Sequence, residues 1–226
     1  MVVQRVLVMR HGDRYSDAHD PELTPTGHEQ AQAIATLLAD EDIAAIYCSP
    51  FIRSLQTAAP LAAARGQLLT VDRGFGEILP ESHGNPLPHL LYDSQRDSLP
   101  HIPAGLLAPD SLSPVPEFPD IFGPEYYRQG DTAQRQRTVD RHAAALERAF
   151  AAVQGEAATL LVVGHGCSSD FCCAALLGER FPPALHTGGR VYWPAERGEP
   201  ADGENQPAPP HVSFTACMIW WLRLSC

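Results

Sequence analysis

The sequence predicts an α/β protein, a three-layer α/β/α sandwich around a mostly parallel central sheet. Three observations predict it. Apolar runs of strand length occur at residues 6–9, 43–48, 68–71 and 159–163, and unbroken apolar runs belong to strands covered on both faces. Segments with helical spacing and capping signals follow these runs or lie between them. The residues that carry chemistry gather where the apolar runs stop, which is where open α/β sheets hold ligands.

The chain opens on a strand that ends in Met9-Arg10-His11-Gly12-Asp13-Arg14. After a polar stretch, Thr24-Pro25 starts a helix, with Thr as N-cap and Pro in the first helical position. Ala31, Ile34, Ala35 and Leu38 mark its buried face, and Asp40-Glu41-Asp42 ends it. The second strand, 43–48, runs into Ser49-Pro50, which repeats the cap-plus-proline signal. The helix after it buries Phe51, Leu55, Ala58, Ala59 and Ala62 and carries Arg53 in its first turn, where free amides and the helix dipole favour an anion. The third strand leads to Gly74-Phe75-Gly76-Glu77-Ile78. Glu77, set between glycines and apolar residues, is a candidate proton donor, because partial burial raises a carboxyl pKa. Glu81 and Asp13 compete for that role.

Residues 80–131 change character. They hold 10 of the 21 prolines and show no helical or alternating period. Proline at that density breaks regular elements, so this segment reads as a cap inserted in a single domain spanning 1–226. Phe118, Phe122, Tyr126 and Tyr127 either line a substrate pocket or anchor the cap. His83, His89 and His101 lack metal-ligand spacing. Thr132 then caps a long helix with the stripe Val139, Ala143, Leu146, Phe150 and Val153, ended by Gly155. The strand at 159–163 runs into Gly164-His165-Gly166, repeating the opening arrangement. A helix begins at Ser168-Ser169 and continues to Leu177. A brief strand is expected at 191–193, and a closing strand at 211–224 carries Trp220 and Trp221.

Composition narrows the function. The net charge is −11, and all 16 basic residues are arginine. An acidic chain argues against nucleic-acid and anionic-membrane partners, while arginine is the side chain best shaped to grip phosphate. The six cysteines (48, 167, 172, 173, 217 and 226) include no Cys-x-x-Cys pair. They are expected to be reduced and mostly buried, in a cytoplasmic setting, with no zinc site. The apolar N-terminus is only strand-long and holds Arg5 and Arg10, unlike a signal peptide. No run reaches the ~18 residues of a membrane span.

In a parallel sheet these strand ends share one rim. That rim collects His11, His165, Arg10, Arg14, Arg53 and Glu77: guanidiniums for the oxygens of a phosphoryl group, an imidazole that can attack phosphorus, and a carboxyl to protonate the leaving oxygen. Such a site requires neither metal nor cofactor. Arg10-His11-Gly12, Ser49-Pro50 with Arg53 and Gln56-Thr57-Ala58, Glu77, and Gly164-His165-Gly166 resemble, in order, the motifs of the histidine phosphatase superfamily, the phosphoglycerate-mutase-like fold. Leu23-Thr24 with Gly27 and Gln30-Ala31 also resembles its first helix. The resemblance spans residues 5 to about 178.

The resemblance implies a phosphoric monoester hydrolase of the histidine acid phosphatase kind. It implies His11 as nucleophile, Glu77 as general acid, and Arg10, Arg53 and His165 as the phosphate pocket, with His165 also catalytic. Arg-His-Gly-Asp-Arg looks like the Arg-His-Gly-Glu-Arg of the Sts-type (suppressor of T-cell signalling) and ecdysteroid-phosphate phosphatases, which implies that Arg14 also contacts phosphate. A phosphoglycerate mutase-type phosphotransferase and a non-catalytic, phosphatase-like binding module are the alternatives. The first is disfavoured because residues 80–127 offer a single arginine, Arg96; the second because every core residue is present. The expected partner is a small-molecule or phosphopeptide phosphomonoester. The closing edge strand leaves room for a homodimer.

Overall fold

The structure, a computed structural model, describes residues 2–16, 20–77, 79–80, 99–109, 121–122, 132–153, 156–177 and 219–223. In chain order they form β1 (Val2–Arg10), α1 (Pro25–Leu37), β2 (Ile43–Cys48), α2 (Ile52–Arg65), β3 (Leu69–Val71), a 3-10 turn (Arg73–Phe75), β4 (Leu79–Pro80), β5 (Ile121–Phe122), α3 (Thr132–Ala152), β6 (Glu156–Gly164), α4 (Gly166–Leu177) and β7 (Ile219–Arg223).

Five strands make one sheet in the order β3-β2-β6-β1-β7. β1, β2, β3 and β6 are parallel, and β7 joins the edge antiparallel to β1. The alternation of side chains along each strand divides the core into two layers. Leu7, Met9, Ile46, Cys48, Leu161 and Val163 face one way and pack with Ile34, Leu55 and Ala58 of α1 and α2. Val6, Val8, Tyr47, Leu160 and Val162 face the other way and pack with Ala145, Leu146 and Ala149 of α3 and Cys172 of α4. Both faces are covered, as the continuous apolar runs require, and the result is the expected three-layer α/β/α arrangement.

Register places the site. Arg10 pairs with Gly164, and Val163 pairs with both Met9 and Cys48. One residue past the Arg10–Gly164 pair, His11 and His165 therefore leave the sheet at one level, with Ser49 one step behind them on β2, at the C-terminal ends of adjacent strands.

Several boundaries differ from the sequence reading, each for a local reason. Thr24 does cap α1, accepting the Gly27 N–H at 3.1 Å, and Pro25 is its first residue. Ser49-Pro50 does not cap α2: the N-cap is Phe51, which has no side-chain acceptor. Asp20 supplies that acceptor from the β1–α1 loop, its carboxylate taking the Ile52 N–H at 3.0 Å. Leu68 is exposed and precedes β3. Thr132 is the first helical residue of α3 rather than its cap, and α4 starts at Gly166, two residues early.

The buried stripe of α3 is rotated toward Thr138, His142, Ala145, Leu146 and Ala149, with Val139 and Ala143 half-buried. Within 80–131, Leu79–Pro80 pairs with Ile121–Phe122 in parallel, and Leu99 and Leu106 join the core beside α2 and β3. The candidates Glu81, His83, His89, Phe118, Tyr126 and Tyr127, the strand expected at 191–193 and most of the closing segment lie outside the described residues, as does the Phe122 side chain.

Candidate active site

His11 leaves β1 with its backbone N–H donated to Gly164 O at 2.9 Å, so the two histidine-bearing loops are stitched together. Its Nδ1 lies 2.7 Å from the carbonyl oxygen of Gly12. A carbonyl only accepts, so Nδ1 carries the ring proton of the neutral form and Nε2 presents a lone pair. The Gly12 N–H in turn donates to Thr57 Oγ1 at 3.0 Å, and Thr57 donates to Arg53 O at 2.7 Å. This chain of bonds ties the histidine loop to the first turn of α2. Burial, then the charges of Arg53 and His165, hold the His11 pKa well below the usual histidine value, so the imidazole is neutral at neutral pH.

Arg53 is buried, its guanidinium 4.5 Å above the Phe51 ring. Nη1 lies 3.4 Å from Asp20 Oδ1, and Nη2 lies 3.4 Å from Glu77 Oε2 and 3.3 Å from His165 Nδ1. Burial lowers its pKa, and Glu77 and Asp20 oppose that shift. His165 is fully buried, with its ring centroid 5.3 Å from that of His11 in an edge-on arrangement. Its Nε2 is 2.7 Å from Ser49 Oγ and its Nδ1 is 3.1 Å from Glu77 Oε2. Burial pushes its pKa down to about 4; Glu77 pulls it up, and Arg53 reinforces the fall. Glu77 is partly exposed and so open to a ligand.

The turn that carries Glu77 is held from α3. Arg141 donates to Arg73 O and Gly76 O, both at 3.1 Å, and Arg148 grips Asp72 through two 2.8 Å bonds. Arg10 lies beside the start of α4, where a Cβ on Gly166 would come 3.6 Å from its Nε. The Nε atoms of Arg10 and Arg53 are buried and meet no acceptor among the described residues.

His11, Arg53, Glu77 and His165 thus come together, with Arg10 beside them. Arg14 sits at the exposed rim and donates Nη1 to Tyr15 O at 2.8 Å, near enough for its charge to act on Arg53. Asp13 is turned away: Oδ2 accepts from Thr24 Oγ1 at 2.6 Å, buttressing α1. Asp20, Ser49, Thr57 and Arg141 hold the site in place, and reading the sequence assigned them no such part. The loop aspartate preceding Pro21 bore no periodic signal, and α3 is remote in sequence from the turn it holds.

The ligating atoms of His11, Glu77 and His165 lie within 4.8 Å of one another, a spacing that could accept a divalent ion. Arg53 already places a cation 3.3–3.4 Å from two of the three, so a dication there would meet strong repulsion. The same cluster suits an anion. Its donors are guanidiniums, and the N-termini of α2 and α4 lie just past the ends of β2 and β6.

Residues 6–84 match the family model of the histidine phosphatase superfamily (branch 1). The chain is 38% identical over 79 residues to uncharacterized protein Rv0525 of Mycobacterium tuberculosis, a match covering 30% of this chain and 37% of that protein; it therefore spans little more than a third of that relative's length. Among solved structures it is similar to a mycobacterial glucosyl-3-phosphoglycerate phosphatase, Rv2419c (18% identity, 77% of this chain, 79% of that chain, TM-score 0.50). It is also similar to a putative alpha-ribazole-5'-P phosphatase of Escherichia coli K-12 (22%, 77% and 80%, TM-score 0.50). The structures share the fold, and the family match covers residues 6–84.

Proposed function

We propose that this chain belongs to the histidine phosphatase superfamily and is a metal-independent phosphomonoesterase that works through a phosphohistidine on His11. One observation carries the reading. A buried imidazole, kept neutral by burial and by the charges of Arg53 and Arg10, has its Nδ1 proton held on Gly12 O, which leaves Nε2 as its free lone pair. Nε2 attacks phosphorus in line, and the bond to the leaving oxygen breaks as Glu77 protonates that oxygen. Arg10, Arg53 and His165 bind the equatorial oxygens, where the negative charge of the transition state must be met. Water then attacks the phosphoimidazole while Glu77 takes its proton, and the N–P electron pair returns to Nε2. Arg14, at the rim, adds a further contact to phosphate, as in the Sts-type branch. Both structural neighbours bear the names of phosphatases, in keeping with this reaction.

p-Nitrophenyl phosphate hydrolysis, with and without chelator, tests the proposal. Wild type should turn over equally in both, and His11→Ala should lose activity by orders of magnitude. Acid-labile, alkali-stable phosphoenzyme should be trapped on wild type alone. Equal, negligible rates in wild type and mutant would sink the hydrolase reading, and loss of turnover on chelation would sink its metal independence.

A further inference from the structure

Glu77 Oε2 rests against two side chains that the proposed function gives to phosphate. It lies 3.4 Å from Arg53 Nη2 and 3.1 Å from His165 Nδ1. A guanidinium can only donate, so Oε2 takes up a donor of the phosphate pocket. The ligating atoms of His11, Glu77 and His165 lie within 4.8 Å of one another. A phosphoryl group in line with His11 would therefore press its oxygens against this carboxylate. The carboxylate is loosely held: its 3.4 Å contact with Arg53 is long beside the paired 2.8 Å bonds of Arg148 to Asp72. It also meets solvent. The Glu77 side chain is 19% exposed, against 3% for Arg53 and 0% for His165.

We propose that Glu77 is an internal stand-in for phosphate: its carboxylate occupies Arg53 and His165 in the resting site, an incoming phosphoryl dianion takes them over, and Glu77 gains one proton from solvent as it is displaced. The inference rests on the reading of this site as a phosphate pocket. Its physical cause is repulsion between like charges at close range, which a proton on the carboxylate relieves. Arg53 cannot serve both anions fully, because Asp20 holds its Nη1 at 3.4 Å. The other groups around Glu77 are Arg10 and His11 from β1, and Arg141 and His142 from α3, with Arg141 on Gly76 O. Burial holds His11, His142 and His165 neutral, and Asp20 keeps its bonds to Ile52 N and Arg53. The solvent-facing carboxylate is left to take the proton. Each dianion that binds thus arms its own acid, since the proton gained is the one Glu77 later gives to the leaving oxygen.

Tungstate, a phosphate analogue that stays a dianion throughout the neutral range, tests this without turnover. Titration calorimetry in two buffers of different ionisation enthalpy should show close to one proton taken up per tungstate bound. Affinity should fall about tenfold for each unit rise in pH, the mark of one coupled proton. Glu77→Gln, neutral from the start, should bind tungstate more tightly than wild type, with no uptake and a flat pH profile. Binding to wild type without uptake overturns the proposal. So does uptake that persists in Glu77→Gln, which would assign the proton to another group. Equal or weaker binding by that variant also overturns it, because Glu77 would then not compete with the anion. If Glu77→Gln does not fold, infrared difference spectra of wild type decide. Tungstate should convert a carboxylate band into a protonated carboxyl band, and an unchanged carboxyl region refutes the proposal. Failure of tungstate to bind, together with no hydrolysis of p-nitrophenyl phosphate, would sink the phosphate-pocket reading and this inference with it.

Discussion

At His11 the protein has withdrawn an imidazole from water and surrounded it with cations, which costs stability unless the neutral form is the one in use. The direction of the shift sets the pH behaviour. The nucleophile is lost only when pH falls through its depressed pKa, so the acid limb of kcat/KM should lie well below pH 6.5 once the substrate's own phosphate ionisation is removed. A limb at or above 6.5 would mean that His11 is solvated. Arg53 is a buried fork shared among Asp20, Glu77 and His165. Arg53→Ala should lower kcat/KM by more than about a hundredfold, the scale of losing a charged transition-state contact. Arg53→Lys should recover little, because a single ammonium cannot span those three partners. A loss under tenfold would place Arg53 outside the phosphate pocket.

At the scale of elements, helix starts and turns are fixed by residues from elsewhere in the chain. Asp20 caps α2 through Ile52 N and pairs with Arg53, so one carboxylate serves both helix and site. Asp20→Asn keeps an acceptor for the cap and loses the charge; Asp20→Ala loses both. Thermal unfolding should therefore drop clearly more for Ala than for Asn, by about 1 kcal/mol, the usual worth of a cap. Both variants should impair turnover through Arg53. Equal melting of the two would deny Asp20 its capping role. Gly27, in the first turn of α1, is another such constraint: a Cβ there would run into the carbonyl oxygen of Asp13. Close approach of α1 to the His11 loop needs a residue without a side chain at this point.

The whole molecule has several imidazoles without access to water. His142 on α3 is fully buried, its ring 5.4 Å from Phe171 and 6.1 Å from Phe75, with Nδ1 at Thr138 O. Burial, reinforced by Arg141, pushes its pKa down to about 3. The folded value lies below the unfolded one near 6.5. Its contribution is therefore intact above pH 6.5 and is lost as pH falls from there toward 3, at about 1.4 kcal/mol per pH unit. His11 and His165 act in the same sense. Denaturant midpoints should fall steeply below pH 6, and His142→Phe should make that fall shallower. An unchanged slope would show that His142 is protonated in the native state.

Much of the architecture was legible in the chain because it rests on local, repeating signals. Unbroken apolar runs gave the buried parallel strands, Thr24-Pro25 gave the start of α1, and the positions of His11 and His165 just past two strand ends gave a shared rim. The finer arrangement was not legible, because it depends on contacts between residues far apart in sequence. Asp20 rather than Ser49 receives the α2 amide because a loop 32 residues away folds over it. Ser49 is left to meet His165, 116 residues on, and α3 turns His142 inward and reaches back with Arg141 to hold the Glu77 turn. The strand order β3-β2-β6-β1, which inserts the late strand β6 between β1 and β2, brings these partners together. The elements and the residue types at their ends follow from the chain alone, since hydrophobic period and capping chemistry act within a few residues. Which partners each histidine nitrogen meets follows from the fold, since a hydrogen bond depends on where chain-distant atoms come to rest.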